Sequence, residues 1–286
     1  MPPPAIALED RPILTSPFDP APPAGTRVSE ADYWQHYYEH ENGYEWNNGI
    51  LEVKPVSDTL TLLIYQWLLA LLRFYLGTHH NARLTCLEFG FRLALPGKVT
   101  IRKPDLGLVL NSNAVPLADL DRSYRGVFDL VVEALSDSTP AEIKRDTEQK
   151  RREYEAAGVG EYYILHHEPR WQLFYRRNAH GRYEPIPTPD GILRSGVVPG
   201  FQFRLADLQR RPEPDDMIED PVYASFVLPR WQVERAAWNQ DRQALATERQ
   251  ARQQAEQTAT IAEQKAKDAE QTATIAEQKA KEAEQR

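Results

Sequence analysis

The sequence predicts an α/β domain followed by a long C-terminal helix. Two apolar runs, KPDLGLVL and VFDLVVEALS, predict central strands, because both alternating faces of each run are largely apolar. The segment STPAEIKRDTEQKRREYEAAG predicts a helix that begins at a Ser/Thr cap and ends at Gly158, and GEYYILHH predicts another strand. From Trp231 onward the chain contains neither Gly nor Pro, which favours one uninterrupted helix.

The N-terminal part of the chain predicts a leader, a short helix, a hairpin and an apolar helix. Residues 1–26 are rich in Pro and lack periodicity, so we expect a disordered leader. Ser29 caps the short helix. The run GYEWNNGILEVKPV predicts a hairpin that turns at Asn48-Gly49. Residues 60–76 predict a strongly apolar helix, which we expect in the core or at a subunit contact.

The C-terminal part predicts a linker and a weak coiled coil. Residues 209–230 are Pro-rich and acidic, which predicts the linker. Residues 231–286 contain the repeat EQTATIAEQKAKDA–EQTATIAEQKAKEA. Alanines recur there at alternating steps of four and three residues, which is typical of a coiled-coil seam. Since alanine buries little area, we expect a weak association that helps the chain form a homo-oligomer, most simply a dimer.

Composition excludes several classes of protein. The single cysteine, Cys86, excludes a disulfide framework and fits a reducing compartment, so we expect a cytoplasmic protein. The start MPPPAIALED lacks the basic end and the apolar core of a signal peptide. No apolar run reaches the roughly 20 residues of a membrane span, so no membrane partner is expected. A net charge of −8 argues against tight non-specific binding to nucleic acid.

Each of the two central strands carries a carboxylate. Asp105 stands at the start of the first run, and Glu133 interrupts the second. A carboxylate in an apolar strand costs free energy unless an opposite charge meets it. If the two strands are neighbours, Asp105 and Glu133 converge near one end of the sheet. Two converging carboxylates suit a hard divalent cation such as Mg²⁺.

The helix that follows supplies a cation. Residues at helical spacing form its inward stripe, namely Ile143, Thr147, Lys150, Tyr154 and Ala157. Lys150 therefore faces the sheet, whereas Lys144 falls on a solvated face. Asp146 lies one turn before Lys150 and could orient it.

The histidines predict no metal site. His36 and His40 stand one turn apart, but aromatic residues crowd that turn and no third ligand is in view. His166 and His167 are adjacent at the end of a strand, where neighbouring side chains point to opposite faces, so they do not form a chelate easily.

With these features the chain resembles the Uma-two family, described as putative restriction endonucleases, within the PD-(D/E)XK nuclease superfamily. The resemblance extends over roughly residues 28–208. It is carried by Pro104-Asp105, by VVEALS with Glu133, by Asp146 and Lys150, and by GVGEYYIL. It implies a restriction-endonuclease-like core with extra β-strands, in a nuclease-like domain over residues 27–208. The core order of helix, three strands, helix and strand is met by residues 59–75, 83–95, 105–110, 127–135, 140–157 and 161–166.

The resemblance also implies roles for these residues. Asp105 and Glu133 would be catalytic and would hold Mg²⁺ or Mn²⁺, with DNA as the substrate. Leu135 stands two residues after Glu133, where the superfamily usually has its lysine. The resemblance implies that the catalytic lysine has moved to the helix, at Lys150.

Two further acids would support the site. Asp146 matches the family motif on the helix. Glu45 matches an acid that would lie on the metal side, but we expect it rather to be a solvated strand residue. The family often has a histidine after the turn that follows Glu45, and residues 57–60 contain none.

Three hypotheses remain open from the sequence. The first is a Mg²⁺-dependent DNA endonuclease. The second is a catalytically silent relative that binds or scaffolds through its helical tail. Activity that depends on both a divalent metal and Lys150 would exclude this second hypothesis. The third is that Asp105, Glu133 and Lys150 form only a structural ion network.

Overall fold

The computed structural model describes residues 21–86 and 89–284, with side chains as far as residue 274. The chain divides into two compact units, Met1–Val227 and Leu228–Arg286. Residues 1–20 of the expected leader lie outside the described residues. Its last part is hydrogen-bonded, since the N–H of Gly25 donates to the carbonyl of Leu51 and the N–H of Leu51 donates to the carbonyl of Thr26.

The first unit contains twelve described strands. They are β1 (Tyr44–Asn47), β2 (Ile50–Val53), β3 (Ala82–Cys86), β4 (Phe91–Leu95), β5 (Lys98–Arg102), β6 (Leu106–Leu110), β7 (Leu130–Ala134), β8 (Glu161–Leu165), β9 (Leu173–Arg177), β10 (Tyr183–Pro185), β11 (Ile192–Arg194) and β12 (Gln202–Arg204). The helices are α1 (Glu30–Asp32), α2 (Thr59–His79), α3 (Pro140–Lys144), α4 (Arg151–Ala157), α5 (Asp207–Arg210), α6 (Pro214–Met217) and α7 (Pro229–Glu284).

Three sheets are formed by these strands. The largest has the order β10-β9-β8-β7-β6-β3, a four-stranded sheet has the order β2-β1-β5-β4, and β11 pairs with β12. In the six-stranded sheet only β7 and β8 are parallel, and the helical run α3–α4 connects them. The predicted order of helix, three strands, helix and strand is confirmed, as α2, β3, β6, β7, α3–α4 and β8.

The predicted hairpin joins β1 and β2. Asn48 and Gly49 both have positive φ, of 48° and 97°, as a tight two-residue turn of this kind requires. Asparagine and glycine adopt that conformation with little strain, so the turn fixes the register in which Tyr44 pairs with Val53.

The two faces of the central strands are both covered, as their composition predicts. On one face, Val109 and Val131 pack in a core cluster with Tyr154 of α4. This face also carries Glu133, since it alternates with Val132 in β7. Burial on both faces explains why the strands read as nearly continuous apolar runs.

The helical run from Pro140 to Ala157 is continuous but not uniformly α-helical. Thr139 caps its start by accepting a hydrogen bond from the N–H of Glu142, and Gly158 ends it in the left-handed conformation at φ 97°. Between α3 and α4 the segment Arg145–Lys150 is π-helical. Segments of this kind often occur at functional sites.

Helix α2 is the apolar helix predicted from residues 60–76. Its Trp67 ring lies 6.5 Å from that of Phe203 and 6.4 Å from that of Tyr223. Among the described helices, it alone is long and apolar enough to cross a membrane by length and composition. The expectation that no apolar run reaches the length of a membrane span is therefore wrong. One face of α2 packs inside the first unit, where Ile64, Leu68, Leu71 and Leu72 are buried.

The run 83–95, expected as one strand, is two strands in different sheets. β3 pairs with β6, whereas β4 pairs with β5. The break follows from Gly90, where a Cβ atom would come 2.9 Å from the ring of Tyr38 and 3.1 Å from the carbonyl of Arg102. Only glycine allows the chain to pass there, and Leu87 and Glu88 lie outside the described residues.

The segment expected as a linker, residues 209–230, instead belongs to the first unit as far as Val227. Its apolar side chains are buried, namely Met217, Ile218, Val222, Tyr223, Phe226 and Val227. The Tyr223 hydroxyl donates a 2.6 Å hydrogen bond to Asp207. Pro and acidic residues dominate the composition, but the apolar residues between them are sufficient to anchor the segment.

The second unit contains the predicted long helix. α7 is a single helix of 56 residues. Self-association of this helix stays a prediction.

Candidate active site

Asp105 and Glu133 lie opposite each other on neighbouring strands. The register of β6 and β7 pairs Leu106 with Val132, which places Asp105, directly before β6, across from Glu133. Oδ2 of Asp105 accepts a 2.6 Å hydrogen bond from the backbone N–H of Ala134. The two carboxylates are thereby brought to the same end of the sheet.

Lys150 lies among three carboxylates. Its Nζ is 3.0 Å from Oε1 of Glu133 and 3.4 Å from one oxygen of both Glu45 and Asp146. The Lys150 side chain is only 1% exposed. Lys144, on the same helical run, is exposed to solvent. The helical stripe thus orients the two lysines as the sequence predicts. The structure brings the five candidate residues into one cluster, namely Glu45, Asp105, Glu133, Asp146 and Lys150.

Comparison with known proteins assigns the chain to a family. The family model described as "Uma2: Putative restriction endonuclease" matches residues 31–207. The chain belongs to the Uma2 family. The description of this family agrees with the PD-(D/E)XK type of core described above. Asp105, Glu133 and Lys150 all lie within the matched residues.

No curated protein matches the sequence. Among solved structures, a putative nuclease belonging to DUF820 from Anabaena variabilis is similar at 16% sequence identity and a TM-score of 0.48. The match covers 63% of this chain and 97% of that one.

Lys54 is a residue of this Uma2 protein that the sequence analysis missed. It follows β2, and its Nζ lies 2.7 Å from Oδ1 of Asp105. The carboxylates of Asp105 and Glu133 raise the pKa of Lys54 although burial alone would lower it. Lys54 therefore stays charged beside both acids. No local pattern marks it, because β2 belongs to the other large sheet and reaches the cluster only through tertiary packing.

Arg102, at the end of β5, is a second missed cation. It is completely buried and holds three carboxylates, with Nη1 3.0 Å from Glu45 and Nε 2.7 Å from Glu153. Glu52 is the third, 2.5 Å from Nη1. The sequence contains a pattern that could have indicated Arg102. Its charge ends the strand-like run KVTIR, and a charge in such a run needs an opposite charge, as Glu133 does in its own run.

Lys150 and Arg102 hold Glu45 in its ionised form. Its Oε1 accepts a 2.9 Å hydrogen bond from the backbone N–H of Lys103. The side chain is completely buried, so the expectation of a solvated strand residue is wrong. Burial acts to raise the pKa of Glu45, but the charges of Lys150 and Arg102 outweigh it and hold that pKa far below the usual range. Glu45 therefore acts as a fixed negative charge that helps to retain Lys150.

For Glu133, in contrast to Glu45, the effects that raise the pKa outweigh those that lower it. Burial raises the pKa of Glu133 to about 7, and the charges of Asp105, Asp146 and Glu45 add to that effect although Lys150 opposes it. Its Oε1 also accepts a 2.6 Å hydrogen bond from the hydroxyl of Tyr154. The Glu133 carboxylate is thus short of positive charge, unlike Glu45.

Among the described members of the cluster, Asp105 and Lys54 have the most exposed side chains. The side chains of Asp105 and Lys54 are 23% and 12% exposed, whereas those of Glu133 and Asp146 are only 2% and 4% exposed. A phosphate oxygen, a water molecule or a metal ion would therefore reach the cluster at the Asp105–Lys54 pair.

The donor set at this side of the cluster fits Mg²⁺ or Mn²⁺. Both are hard cations that prefer carboxylate oxygens. Oδ1 of Asp105 already accommodates a cation, the Lys54 ammonium. Glu133 is a carboxylate whose raised pKa would be relieved by added positive charge. Asp105 and Glu133 are therefore the residues that could hold such an ion.

A second group of ionisable residues, an acid with two histidines, does not include any of these five residues. The ligand atoms of Asp58, His166 and His167 lie within 4.8 Å of one another, a proximity the sequence analysis did not predict. Nδ1 of His167 is 3.1 Å from Oδ2 of Asp58. Asp58 caps the start of α2, so strand alternation around the histidines could not have revealed this contact.

The hydrogen bonds of His166 disfavour a metal in this second group. Its Nδ1 accepts a 3.0 Å hydrogen bond from the backbone N–H of Glu168. The neutral ring therefore carries its proton on Nε2, which lies 3.4 Å from Oδ2 of Asp137. Burial and the neighbouring His167 lower the pKa of His166, so the ring stays neutral and offers no free lone pair.

Proposed function

We propose that this chain is a metal-dependent DNA endonuclease that hydrolyses phosphodiester bonds. The observation that carries the proposal is the hydrogen bond between Asp105 and the N–H of Ala134, which fixes one carboxylate beside the other, with Lys150 3.0 Å from Glu133. Two acids on adjacent strands can bind a metal ion that promotes phosphodiester hydrolysis, and a lysine on the helix can stabilise the negative charge that develops. The family supports the same reaction class.

In the proposed mechanism, Asp105 and Glu133 hold Mg²⁺ or Mn²⁺. When bound, the ion would polarise the scissile phosphate and lower the pKa of the attacking water. Asp105 is positioned by the amide of Ala134, and Glu133 is oriented by the hydroxyl of Tyr154. Both carboxylates are therefore preorganised before the substrate arrives.

Lys150 would stabilise the negative charge that develops on the phosphate or orient the water. Burial lowers the pKa of Lys150, but Glu133, Glu45 and Asp146 outweigh it and raise that pKa. The ammonium therefore does not act as a proton donor near neutral pH. Its contribution would be a fixed positive charge in a site that excludes most of the water.

One observation favours the alternative of a silent binding or scaffolding module. Lys150 is almost completely buried and already paired with three carboxylates, and Lys54 covers the exposed oxygen of Asp105. A network in which every charge has a partner is also what a purely structural cluster requires. The assay below separates the two functions.

The test is a nuclease assay on plasmid and single-stranded DNA with Mg²⁺, with Mn²⁺ and with a chelator. The proposal expects cleavage only with metal, and loss of cleavage in Lys150→Ala. Lys144→Ala is the matched control, because it removes a lysine from the same helical run on its exposed side. Folded wild-type protein that cleaves neither substrate with either metal would support the silent module.

A further inference from the structure

Helix α7 exposes bulky apolar side chains along its length. Every described side chain from residue 233 to residue 274 is exposed to solvent. At 1.5 Å per residue, the helix spans roughly 84 Å. Trp231, Trp238 and Leu245 are 62%, 57% and 55% exposed. Large apolar side chains in water are costly, so a partner that covers them would stabilise the helix.

These three residues continue the alanine seam. The seam alternates two positions of the heptad, conventionally a and d. Ala259, Ala266 and Ala273 occupy position a, and further steps of seven residues toward the N-terminus reach Arg252, Leu245, Trp238 and Trp231. Position d holds alanine at 255, 262 and 269, and acids at 234, 241 and 248. The seam is therefore bulky in one half of the helix and small in the other.

This asymmetry fits an antiparallel partner of the same sequence. In antiparallel coiled coils, position a of one helix packs in a layer with position d of the other. If 231 packs with 276 of the second copy, the same offset pairs 238 with 269, 245 with 262 and 248 with 259. Each bulky residue then meets an alanine. A parallel partner would place tryptophan against tryptophan, and acid against acid, in the seam.

The flanking charges select the same orientation. Position e carries Arg235, Arg242 and Arg249 in one half of α7, and Glu256, Glu263 and Glu270 in the other. In an antiparallel pair the e positions of the two helices face each other, so arginine meets glutamate along the seam. Arg242 already folds over Trp238, with its guanidinium 4.7 Å from the ring centroid, which places its charge beside the seam.

We propose that α7 pairs with α7 of a second copy as an antiparallel two-stranded coiled coil, anchored by Trp231, Trp238 and Leu245. The overlap would extend over nearly the whole helix. The inference does not depend on nuclease activity, and the measurements below are independent of it. A dimer of inactive protein, or an active monomer, would separate the two proposals.

Disulfide cross-linking of the full chain tests the orientation. In a Cys86→Ser background, Glu248→Cys and Ala259→Cys occupy one predicted layer. The double variant should form a covalent dimer on oxidation, whereas each single variant should not. Gln250→Cys with Gln257→Cys is the control, because both lie on the opposite side of the helix and should not cross-link. Self-linking of both single variants would show a parallel pair and overturn the proposal.

Light scattering tests the anchors. Wild type should have twice the chain mass of 32.8 kDa, and Trp238→Ala should shift it toward the monomer. Val233→Ala is the matched control, since Val233 is 71% exposed but lies outside the seam. A wild-type monomer at the highest soluble concentration would overturn the proposal. So would a dimer that Trp238→Ala leaves intact and that the double variant Glu248→Cys with Ala259→Cys does not cross-link.

Discussion

The ammonium of Lys54 lies 2.7 Å from Oδ1 of Asp105, at the exposed edge of a cluster whose other members are almost completely buried. This oxygen is the one that a metal ion entering from solvent would meet first. An ion bound there has to share Asp105 with the ammonium or displace it. Lys54 is thus a built-in competitor for the proposed metal site.

Removal of this competitor should tighten metal binding. We predict that Lys54→Met increases the affinity for Mg²⁺ or Mn²⁺ by about tenfold, which corresponds to about 1.4 kcal/mol. Titration calorimetry and the metal-induced rise in melting temperature both measure it. Lys144→Met, which removes an exposed lysine, should leave the affinity unchanged. Equal affinity of Lys54→Met and wild type would mean that Asp105 is not a ligand.

Glu133→Gln should abolish the metal-induced stabilisation and any cleavage, yet leave the metal-free fold as stable as wild type or more stable. The substitution removes one charge from a group of mutually repelling acids and changes little volume. Thermal melts with and without Mg²⁺ measure both effects. If the variant retained the full Mg²⁺-dependent shift, Glu133 would not bind the metal, and the structural ion network would become the better hypothesis.

The same pair of proteins should differ in pH dependence when metal is chelated. The pKa of Glu133 is raised from 4.5 to about 7 in the fold. Between these values the unfolded chain loses a proton that the folded chain keeps, so wild-type stability falls as pH rises through this interval. Glu133→Gln lacks this loss. Its advantage should be near zero below pH 4.5 and on the order of 3 kcal/mol above pH 7. Denaturant melts across this interval measure it, and a constant difference would contradict the assignment.

Lys150→Met should weaken the metal-free fold strongly. The change leaves Glu133, Glu45 and Asp146 without the ammonium that lies within 3.4 Å of each. Removal of one partner from a buried ion network typically costs about 3–5 kcal/mol. We expect cleavage to be lost and metal still to bind, since the carboxylates remain. Denaturant melts beside Lys144→Met check the stability, and equal losses in the two variants would contradict the buried role.

The sequence predicted the central part of the site because local periodicity determines it. Alternation along β6 and β7 sets the face that carries Asp105 and Glu133, and the helical stripe sets that of Lys150. Each of these inferences needs only neighbours in the chain, together with a rule for pairing adjacent strands.

The residues that were missed depend on tertiary contacts. Lys54 directly follows β2 of the four-stranded sheet, and no spacing in the sequence indicates that it reaches Asp105 beside the other large sheet. Arg102 ends β5 and meets Glu45 of β1 in its own sheet and Glu153 of α4, contacts that also form only in the folded chain. Composition was similarly misleading over residues 209–230. Tyr223 and Phe226 are only two aromatic residues in a Pro-rich, acidic segment, but their burial against α2 decides where the segment lies.

The position of Val227 at the end of the first unit predicts how truncation acts. Deletion of residues 228–286 should change the stability of the remaining protein by less than about 1 kcal/mol, because the core residues lie upstream. Deletion of residues 211–286 should cost far more. It additionally removes Tyr223 and Phe226, whose rings pack on Trp67 and Tyr75, and each large aromatic lost from a core costs about 3–5 kcal/mol. Denaturant melts of the two truncations give the comparison. Equal stability of the two would mean that the segment before Val227 is a linker after all.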